Sequence, residues 1–148
     1  MDVLTLARAD AGELLTLQRA AYVTEAQAHG DLTLPPLTET LDELVTALTA
    51  GVTALGIRRD GRLVAAVRLA PASDGTVELG RLVVAPDLQG QGLGSRLLTH
   101  ALDGAGPVRL FTGERSAANL RLYSRFGFRE THRTPTGNGY DLVHMARV

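Results

Sequence analysis

Three glycines at alternate positions mark the stretch of this sequence best suited to chemistry. The stretch runs from Gln89 to Ser95 and reads QGQGLGS. It follows an apolar run that ends in a proline turn, and a helical pattern begins directly after it. Backbone N–H groups free of obstructing Cβ atoms would therefore lie at a helix N-terminus, where phosphate groups bind. The spacing predicts a phosphate cradle over residues 89–95.

Two common phosphate-binding patterns fit this stretch poorly. A P-loop requires Gly-Lys-Ser/Thr, and the chain contains no Lys. A dinucleotide fingerprint requires Gly-x-Gly-x-x-Gly; Gly90 and Gly92 satisfy its first two positions, but Ser95 occupies the third. The chain also lacks the succession of βαβ units found in dinucleotide-binding folds. Because Glu114 lies about twenty residues downstream, as that fingerprint requires, a dinucleotide-binding module stays open as an alternative.

Apolar residues at helical spacing predict four helices around the cradle. Asp10, Thr38 and Ser116 are the expected N-caps of the first, second and fourth helix. Gly127 follows the fourth helix, at the position where a left-handed residue commonly ends one. The predicted helices cover residues 11–28, 39–50, 93–102 and 117–126, and the first is expected to bury Leu14, Leu17, Ala21 and Ala28.

Short apolar or alternating runs predict strands between these helices. Asp60-Gly61 is typical of a two-residue hairpin turn, and residues 108–113 form a short buried run. The resulting order, β-α-α-β-β-β-α-β-α-β-β, contains no linker or repeat, so one α/β domain over residues 1–148 is expected. Three hairpin-joined strands followed by β-α-β imply a mixed sheet with helices on both faces.

Composition excludes several classes of protein. The 148 residues include no cysteine, which removes disulfides, thiolate nucleophiles and Cys-based zinc sites. We read no signal peptide and no apolar stretch near the ~18 residues of a membrane span, so a cytoplasmic protein without a membrane partner is expected. A net charge of −1 lacks the basic footprint of a nucleic-acid-binding protein. No pair of His and carboxylate residues has metal-ligand spacing, so no metal is expected.

Charge is distributed unevenly along the chain. Residues 1–50 carry two Arg and eight Asp or Glu, a net charge of −6. Residues 51–148 carry thirteen Arg and eight Asp or Glu, a net charge of +5. The asymmetry favours a two-part site, with an anionic ligand on the C-terminal half and a cationic ligand near the N-terminal half. A chance imbalance is the alternative.

Two blocks of the sequence together resemble the GNAT superfamily of N-acetyltransferases. The first, LGRLVVAPDLQGQGLGSRLL, meets the family signature Gln/Arg-x-x-Gly-x-Gly/Ala at Gln89, Gly92 and Gly94. The second, SAANLRLYSRFGFRE, contains an Asn…Tyr…Gly-Phe pattern at Asn119, Tyr123, Gly127 and Phe128. The resemblance is sharpest over residues 76–130. It implies a GNAT-like fold, with a central mixed, mostly antiparallel sheet of about six to seven strands and helices on both faces.

The resemblance implies acetyl-coenzyme A (acetyl-CoA) as co-substrate and direct acetyl transfer to a primary amine of a small molecule or peptide. Backbone amides of residues 89–95 would hold the pyrophosphate, and the preceding strand would pair with the pantetheine arm. Asn119 would hydrogen-bond this arm or the local backbone. The implied cofactor-binding residues are Leu82, Val83, Val84, Gln89, Gly90, Gln91, Gly92, Leu93, Gly94, Ser95, Asn119 and Tyr123.

Acetyl transfer needs a neutral amine, donors for the developing oxyanion and a proton for the thiolate. Tyr123 is the expected general acid, because it follows Asn119 by four residues on one helix face; a core aromatic is the alternative. Glu78 is the expected general base. Strand alternation would place it on one face with Leu82 and Val84, and Gly80 would mark a bulge or a close ligand approach. A solvated edge residue is the alternative for Glu78.

The acceptor site is less defined. His29 and His144 are candidates for its lining, and Arg96, Arg121 and Arg125 are candidates for the coenzyme's 3′-phosphate. Acidic residues of the N-terminal third favour a cationic amine: Glu25, Asp31, Glu39 and Glu43. A non-catalytic coenzyme A sensor stays open as the alternative function. The resemblance allows a homodimer, but no patch in the sequence identifies its contact.

Overall fold

One seven-stranded sheet runs through the protein in a computed structural model that describes residues 2–148. The strands are β1 (Val3–Thr5), β2 (Thr53–Arg59), β3 (Arg62–Pro71), β4 (Val77–Val84), β5 (Val108–Gly113), β6 (Arg129–Pro135) and β7 (Asp141–Arg147). The helices are α1 (Ala11–His29), α2 (Pro35–Thr38), α3 (Leu41–Thr49), α4 (Leu93–Leu102) and α5 (Ala117–Arg125). The strand order is β1-β2-β3-β4-β5-β7-β6. Of the neighbouring pairs, β4 and β5 are parallel and the others antiparallel, which confirms the predicted mixed sheet.

Apolar side chains are buried on both faces of this sheet. On one face α4 packs Leu97 and Leu98 against residues of β2, β3, β5 and β7. On the other face α1 and α3 bury Leu14 and Leu44 against Leu63 and other residues of the N-terminal strands. The predicted helices on both faces are therefore confirmed. None of the helices in residues 2–148 has the length and apolar content needed to cross a membrane.

Several predicted boundaries depend on local turn residues and are confirmed. Asp60 and Gly61 have φ of 53° and 79° and join β2 to β3, as a type I′ hairpin turn requires. Gly127 has φ of 87° directly after the last turn of α5. The fifth strand covers residues 108–113, as predicted.

The second helix begins two residues later than predicted. Pro35 and Pro36 start the short helix α2, which ends at Thr38. Thr40 caps α3 instead, because its hydroxyl accepts a hydrogen bond from Glu43 N while the Glu43 carboxylate accepts one from Thr40 N. This capping box satisfies two backbone donors at once.

The first helix differs from its prediction at both ends. Asp10 precedes α1, but its carboxylate accepts from Ala7 N at 2.7 Å and does not cap the helix. Ala28 is exposed, whereas Ala26 and His29 are buried. Burial shifts there because the end of α1 contacts the segment after β5, where Arg115 N donates to the His29 ring at 3.0 Å.

Strands β4 and β5 separate after a short pairing. They pair only at Val77 with Val108 and at Glu78 with Arg109 among the described residues. Beyond that point β5 continues to pair with β7, on its other side. The edge of β4 that faces β5 is therefore open from residue 79 onward.

A bulge in β4 lies beside this opening. Arg68 of β3 pairs with Gly80, and Ala66 pairs with Val83, so two steps along β3 correspond to three along β4. The extra residue lies at Arg81, whose φ is 53°. Such an insertion reverses the alternation of side chains. Accordingly, Leu79 faces the core beneath α4, whereas Val83 faces the core beneath α1.

Candidate functional site

A cavity of about 390 Å³ lies where β4 and β5 separate. Its size is that of a small-molecule site. Four segments form its wall: α1, the end of β4, the glycine stretch and α5. The lining residues are Ala21, Tyr22, Thr24, Glu25, Leu82, Val83, Val84, Gln89, Gly90, Gly92, Leu93, Gly94, Ser95, Ala118, Asn119, Leu122 and Arg125.

The glycine stretch presents unpaired backbone donors to this cavity. Gly90 and Gly92 have φ of 79° and 81°, a conformation that L side chains rarely adopt. Gly92 is the N-cap of α4, so the amides of its first turn have no intrahelical acceptor. Within residues 2–148 the N–H groups of residues 89–95 donate no hydrogen bond. The first bond of the helix runs from Arg96 N to Gly92 O. These donors suit a phosphate or pyrophosphate group.

The end of β4 offers a second set of backbone groups. Ala85 N donates to Val64 O of β3 at 2.8 Å. Because successive residues of a strand direct their N–H and C=O groups to opposite edges, the backbone groups of Val84 face the open edge. The Gln89 side chain donates to Val84 O at 3.3 Å and ties the glycine stretch to the strand. An extended ligand can pair with such an edge as an added strand does.

Most predicted cofactor-binding residues line the cavity, and Gln91 and Tyr123 do not. Gln91 is exposed, and its side-chain oxygen accepts from Arg59 at 3.2 Å. Tyr123 is only 4% exposed and contacts Phe128 edge to face, with ring centroids 5.8 Å apart. Asn119 lines the cavity and the Tyr123 ring belongs to the core, so the orientation of Tyr123 toward the cofactor stays a prediction.

The environment of Tyr123 keeps its hydroxyl protonated. Burial raises the pKa of Tyr123 well above its usual range, and the nearby Tyr22 and Glu25 raise it further. Both of these neighbours belong to the cavity wall. The Tyr123 hydroxyl is therefore a neutral donor.

Glu78 lies outside the cavity wall, at the point where β4 and β5 separate. Its side chain is 44% exposed, and its carboxylate lies 3.8 Å from the Arg109 guanidinium. The prediction that Glu78 shares a face with Leu82 and Val84 is wrong, because the bulge at Arg81 reverses the alternation between them. Glu78 instead lies on the face that carries α1.

The two histidines considered for the acceptor site do not line the cavity. His29 Nδ1 bonds to Glu25 O at 2.9 Å and its Nε2 accepts from Arg115 N, so both ring nitrogens are occupied. A Cβ at Gly113 would collide with this ring, which makes glycine necessary there. His144 stacks on His132 with centroids 4.2 Å apart. Burial and the neighbouring His132 lower the pKa of His144, whereas the charge of Glu78 raises it.

Sequence reasoning named Glu25 of α1 for the acceptor site but missed Tyr22 of the same helix. Tyr22 and Glu25 both line the cavity, and burial raises the pKa of Tyr22 to about 12. The Glu25 carboxylate accepts a hydrogen bond from the Ser116 hydroxyl, which therefore does not cap α5 as predicted. The available signal was Tyr22, the one Phe, Tyr or Trp residue of α1. Glu25 follows it by three positions and therefore lies on the same helix face.

The acidic residues of the N-terminal third do not come together in one binding site for a cation. Each has a partner within the protein: Glu25 binds Ser116, Asp31 binds Thr33, Asn138 and Tyr140, Glu39 binds Arg68 and Gln18, and Glu43 binds Thr40. Hydrogen bonds from Thr33 and Tyr140 hold the pKa of Asp31 well below its usual range. Among the four, only Glu39 is paired with an arginine, and only Glu25 lines the cavity, so a cationic acceptor stays a prediction.

The three arginines considered for a 3′-phosphate occupy different places. Arg125 lines the cavity. Arg96 lines a second, more open cavity together with His100 and Arg147, and Arg121 is exposed. Within the described part of the chain, no group of three or more His, Asp or Glu side chains is placed to hold a metal ion.

The sequence matches one family model over the segment that contains most of this site. A family model described as an acetyltransferase (GNAT) domain matches residues 51–130, which include β4, the glycine stretch and α5. A search of curated protein sequences found no significant match.

Solved structures with the same fold cover nearly the whole chain. The ribosomal-protein-S18-alanine N-acetyltransferase from Escherichia coli superposes with a TM-score of 0.80 at 21% identity, over 99% of this chain and 92% of that one. The PaiA N-acetyltransferase from Thermoplasma acidophilum, solved in complex with coenzyme A, has a TM-score of 0.78 at 19% identity, over 99% of both chains. The ribosomal-protein-alanine N-acetyltransferase from Brucella melitensis has a TM-score of 0.76 at 20% identity, over 100% of this chain and 99% of that one. At these identities the likeness shows the fold.

Proposed function

Because the chain belongs to the GNAT acetyltransferase family, we propose that it transfers the acetyl group of acetyl-CoA directly to the primary amine of a small molecule or peptide. The cavity is the observation that carries this proposal. At one end it has the unpaired amides of residues 89–95, and along its wall it has the open edge of β4. Acetyl-CoA contains a pyrophosphate followed by an extended, amide-containing arm. These two parts match the unpaired amides and the open strand edge in that order.

The residues present fit acetyl-CoA at each of these positions. The amides of residues 89–95 hold the pyrophosphate, and the positive end of the α4 dipole adds to the attraction. Val84 offers its backbone N–H to the arm on the open edge of β4, while its C=O accepts from the Gln89 side chain. Asn119 faces the arm from α5, and Arg125, at the end of that helix, supplies a positive charge to the same cavity.

Acetyl-CoA supplies a thioester carbonyl that an amine can attack. In the transfer the new N–C bond forms and the C–S bond breaks, the amine loses a proton and the departing sulfur gains one. Glu78 takes the amine proton, directly or through water, and the Tyr123 hydroxyl gives its proton to the sulfur. A backbone N–H at the end of β4 stabilises the charge on the carbonyl oxygen. Exchange with water restores both side chains.

Glu25 is the second candidate for the base. Its carboxylate lines the cavity and accepts a hydrogen bond from Ser116, whereas Glu78 lies outside the cavity wall. Glu78 has the advantage of position, because it lies at the end of the opening farther from the glycine stretch, where the acetyl group is expected. The two carboxylates make different predictions for mutants.

The experiment measures coenzyme A thiol released from acetyl-CoA with a panel of primary amines and peptides. We expect Glu78→Gln to lower kcat/KM by about 10²-fold or more, the usual contribution of a general base. Glu130→Gln, which alters an exposed carboxylate of β6, is the matched control and should retain the wild-type rate. A large loss in Glu25→Gln with an active Glu78→Gln would assign the base to Glu25. If acetyl-CoA binds but no amine is acetylated, the protein is a coenzyme A-binding protein without this activity.

A further inference from the structure

A cluster of two guanidinium groups and one carboxylate lies between α1 and β4. Arg68 is 8% exposed and binds Glu39 through two bonds, from Nη1 to Oε2 at 3.0 Å and from Nη2 to Oε1 at 2.5 Å. Gln18 donates to Glu39 Oε1 at 2.9 Å and accepts from Arg68. Glu39 is therefore neutralised by Arg68 in a bidentate pair, the strongest form of this interaction.

Arg81 brings a second positive charge to this cluster without a carboxylate of its own. Its Nε lies 4.0 Å from Glu39 Oε1, beyond hydrogen-bond distance, and is buried without a partner. Among the described residues its guanidinium makes no hydrogen bond, and its side chain is 25% exposed. Burial lowers the pKa of Arg81, and the charge of Arg68 lowers it further, whereas Tyr22 and Glu39 raise it. An arginine in a protein nevertheless keeps its charge. The cluster therefore carries one positive charge in excess.

Arg81 adjoins the cavity without being part of its wall. It directly precedes Leu82 of the cavity wall, and its charge acts on the hydroxyl of Tyr22, another wall residue. An arm that starts at residues 89–95 and follows the open edge of β4 ends near Gly80 and Arg81. The bulge turns Arg81 toward the α1 face, the face that Glu78 also occupies.

We propose that Arg81 binds a carboxylate of the acceptor, so that the substrates are small amines that carry a carboxylate, with α-amino acids as the simplest class. A partly buried guanidinium with unfilled donors is stabilised by a carboxylate and left uncompensated by an uncharged amine. This inference rests on the proposed acetyl transfer and adds the class of acceptor.

The test compares each standard amino acid with its carboxamide, using the full chain, acetyl-CoA and detection of released thiol. The wild-type protein should favour at least one acid over its amide by about tenfold or more in kcat/KM, the effect of one charge-assisted hydrogen bond. Arg81→Gln should remove that preference and leave the reaction of the amide intact. Arg81→Lys, which keeps the charge, should retain part of it. Arg8→Gln alters an exposed arginine distant from the cluster and is the matched control.

Binding of acetyl-CoA, measured by calorimetry, accompanies each rate and shows that the variants are folded. The inference is overturned if no acid is favoured over its amide, whether the two react equally or neither reacts, or if Arg81→Gln keeps the preference. In those cases a protein that binds acetyl-CoA and acetylates other amines still has the proposed function. A wild-type protein that does not bind acetyl-CoA contradicts the proposed function itself.

Discussion

At the scale of single residues, the protein places its two proposed proton-transfer groups in opposite environments. Tyr123 is buried in the core beneath α5, so its hydroxyl stays neutral and can donate. Glu78 is exposed at the strand opening and stays close to Arg109. The residue types were readable from the sequence, since Tyr123 follows Asn119 in a family pattern. Their surroundings were left as alternatives, because burial of Tyr123 depends on tertiary contacts such as the one with Phe128.

Tyr123→Phe tests the acid role. We expect kcat to fall by about 10²-fold with an unchanged KM for acetyl-CoA, because the ring remains packed against Phe128. Since burial raises the pKa of Tyr123 above the ordinary value of about 10, its proton is retained up to and beyond that pH. The wild-type rate should therefore show no loss from this group between about pH 7 and 10. Equal rates in both proteins would contradict the assignment.

At the scale of elements, the site results from two irregularities in β4. The strand leaves β5 after Glu78, and it carries an extra residue at Arg81. The hairpin at Asp60-Gly61 and the limits of β5 were predictable because local turn residues determine them. The bulge was suggested only by Gly80, one position away, since it arises from the register between β3 and β4. Register is a property of two strands, which one strand's sequence pattern does not define.

Gly92→Ala tests the glycine stretch as the cradle. Alanine there must adopt φ near 81°, at a cost of about 1–2 kcal/mol, and the N–H groups around it shift. We expect acetyl-CoA to bind about tenfold more weakly, the equivalent of about 1.4 kcal/mol. Gly137→Ala is the matched control, because Gly137 also has φ of 81° but lies in the turn between β6 and β7. Calorimetric titration should show weaker binding only in Gly92→Ala; equal losses would contradict a local role.

At the scale of the whole molecule, the cavity joins segments that are far apart in the chain. Its wall combines α1, the end of β4, the glycine stretch and α5. The order of elements and the family resemblance predicted the sheet, and most of the residues named for the cofactor line the cavity. Of the α1 side only Glu25 was named, because local periodicity does not show which helix face meets β4. The net charge of −6 over residues 1–50 did not show which acids are ion-paired: Glu39 pairs with Arg68, whereas Glu25 lines the cavity with a hydroxyl as its partner.

The central claim is that this cavity binds acetyl-CoA, and a calorimetric titration of the wild-type protein with acetyl-CoA and, separately, with NAD tests it most directly. We expect saturable binding of acetyl-CoA at one site per chain and no binding of NAD. Acetyl-CoA supplies a pyrophosphate and an extended arm that match the glycine stretch and the open edge of β4. Binding of NAD with none of acetyl-CoA would contradict the account and favour a dinucleotide-binding module.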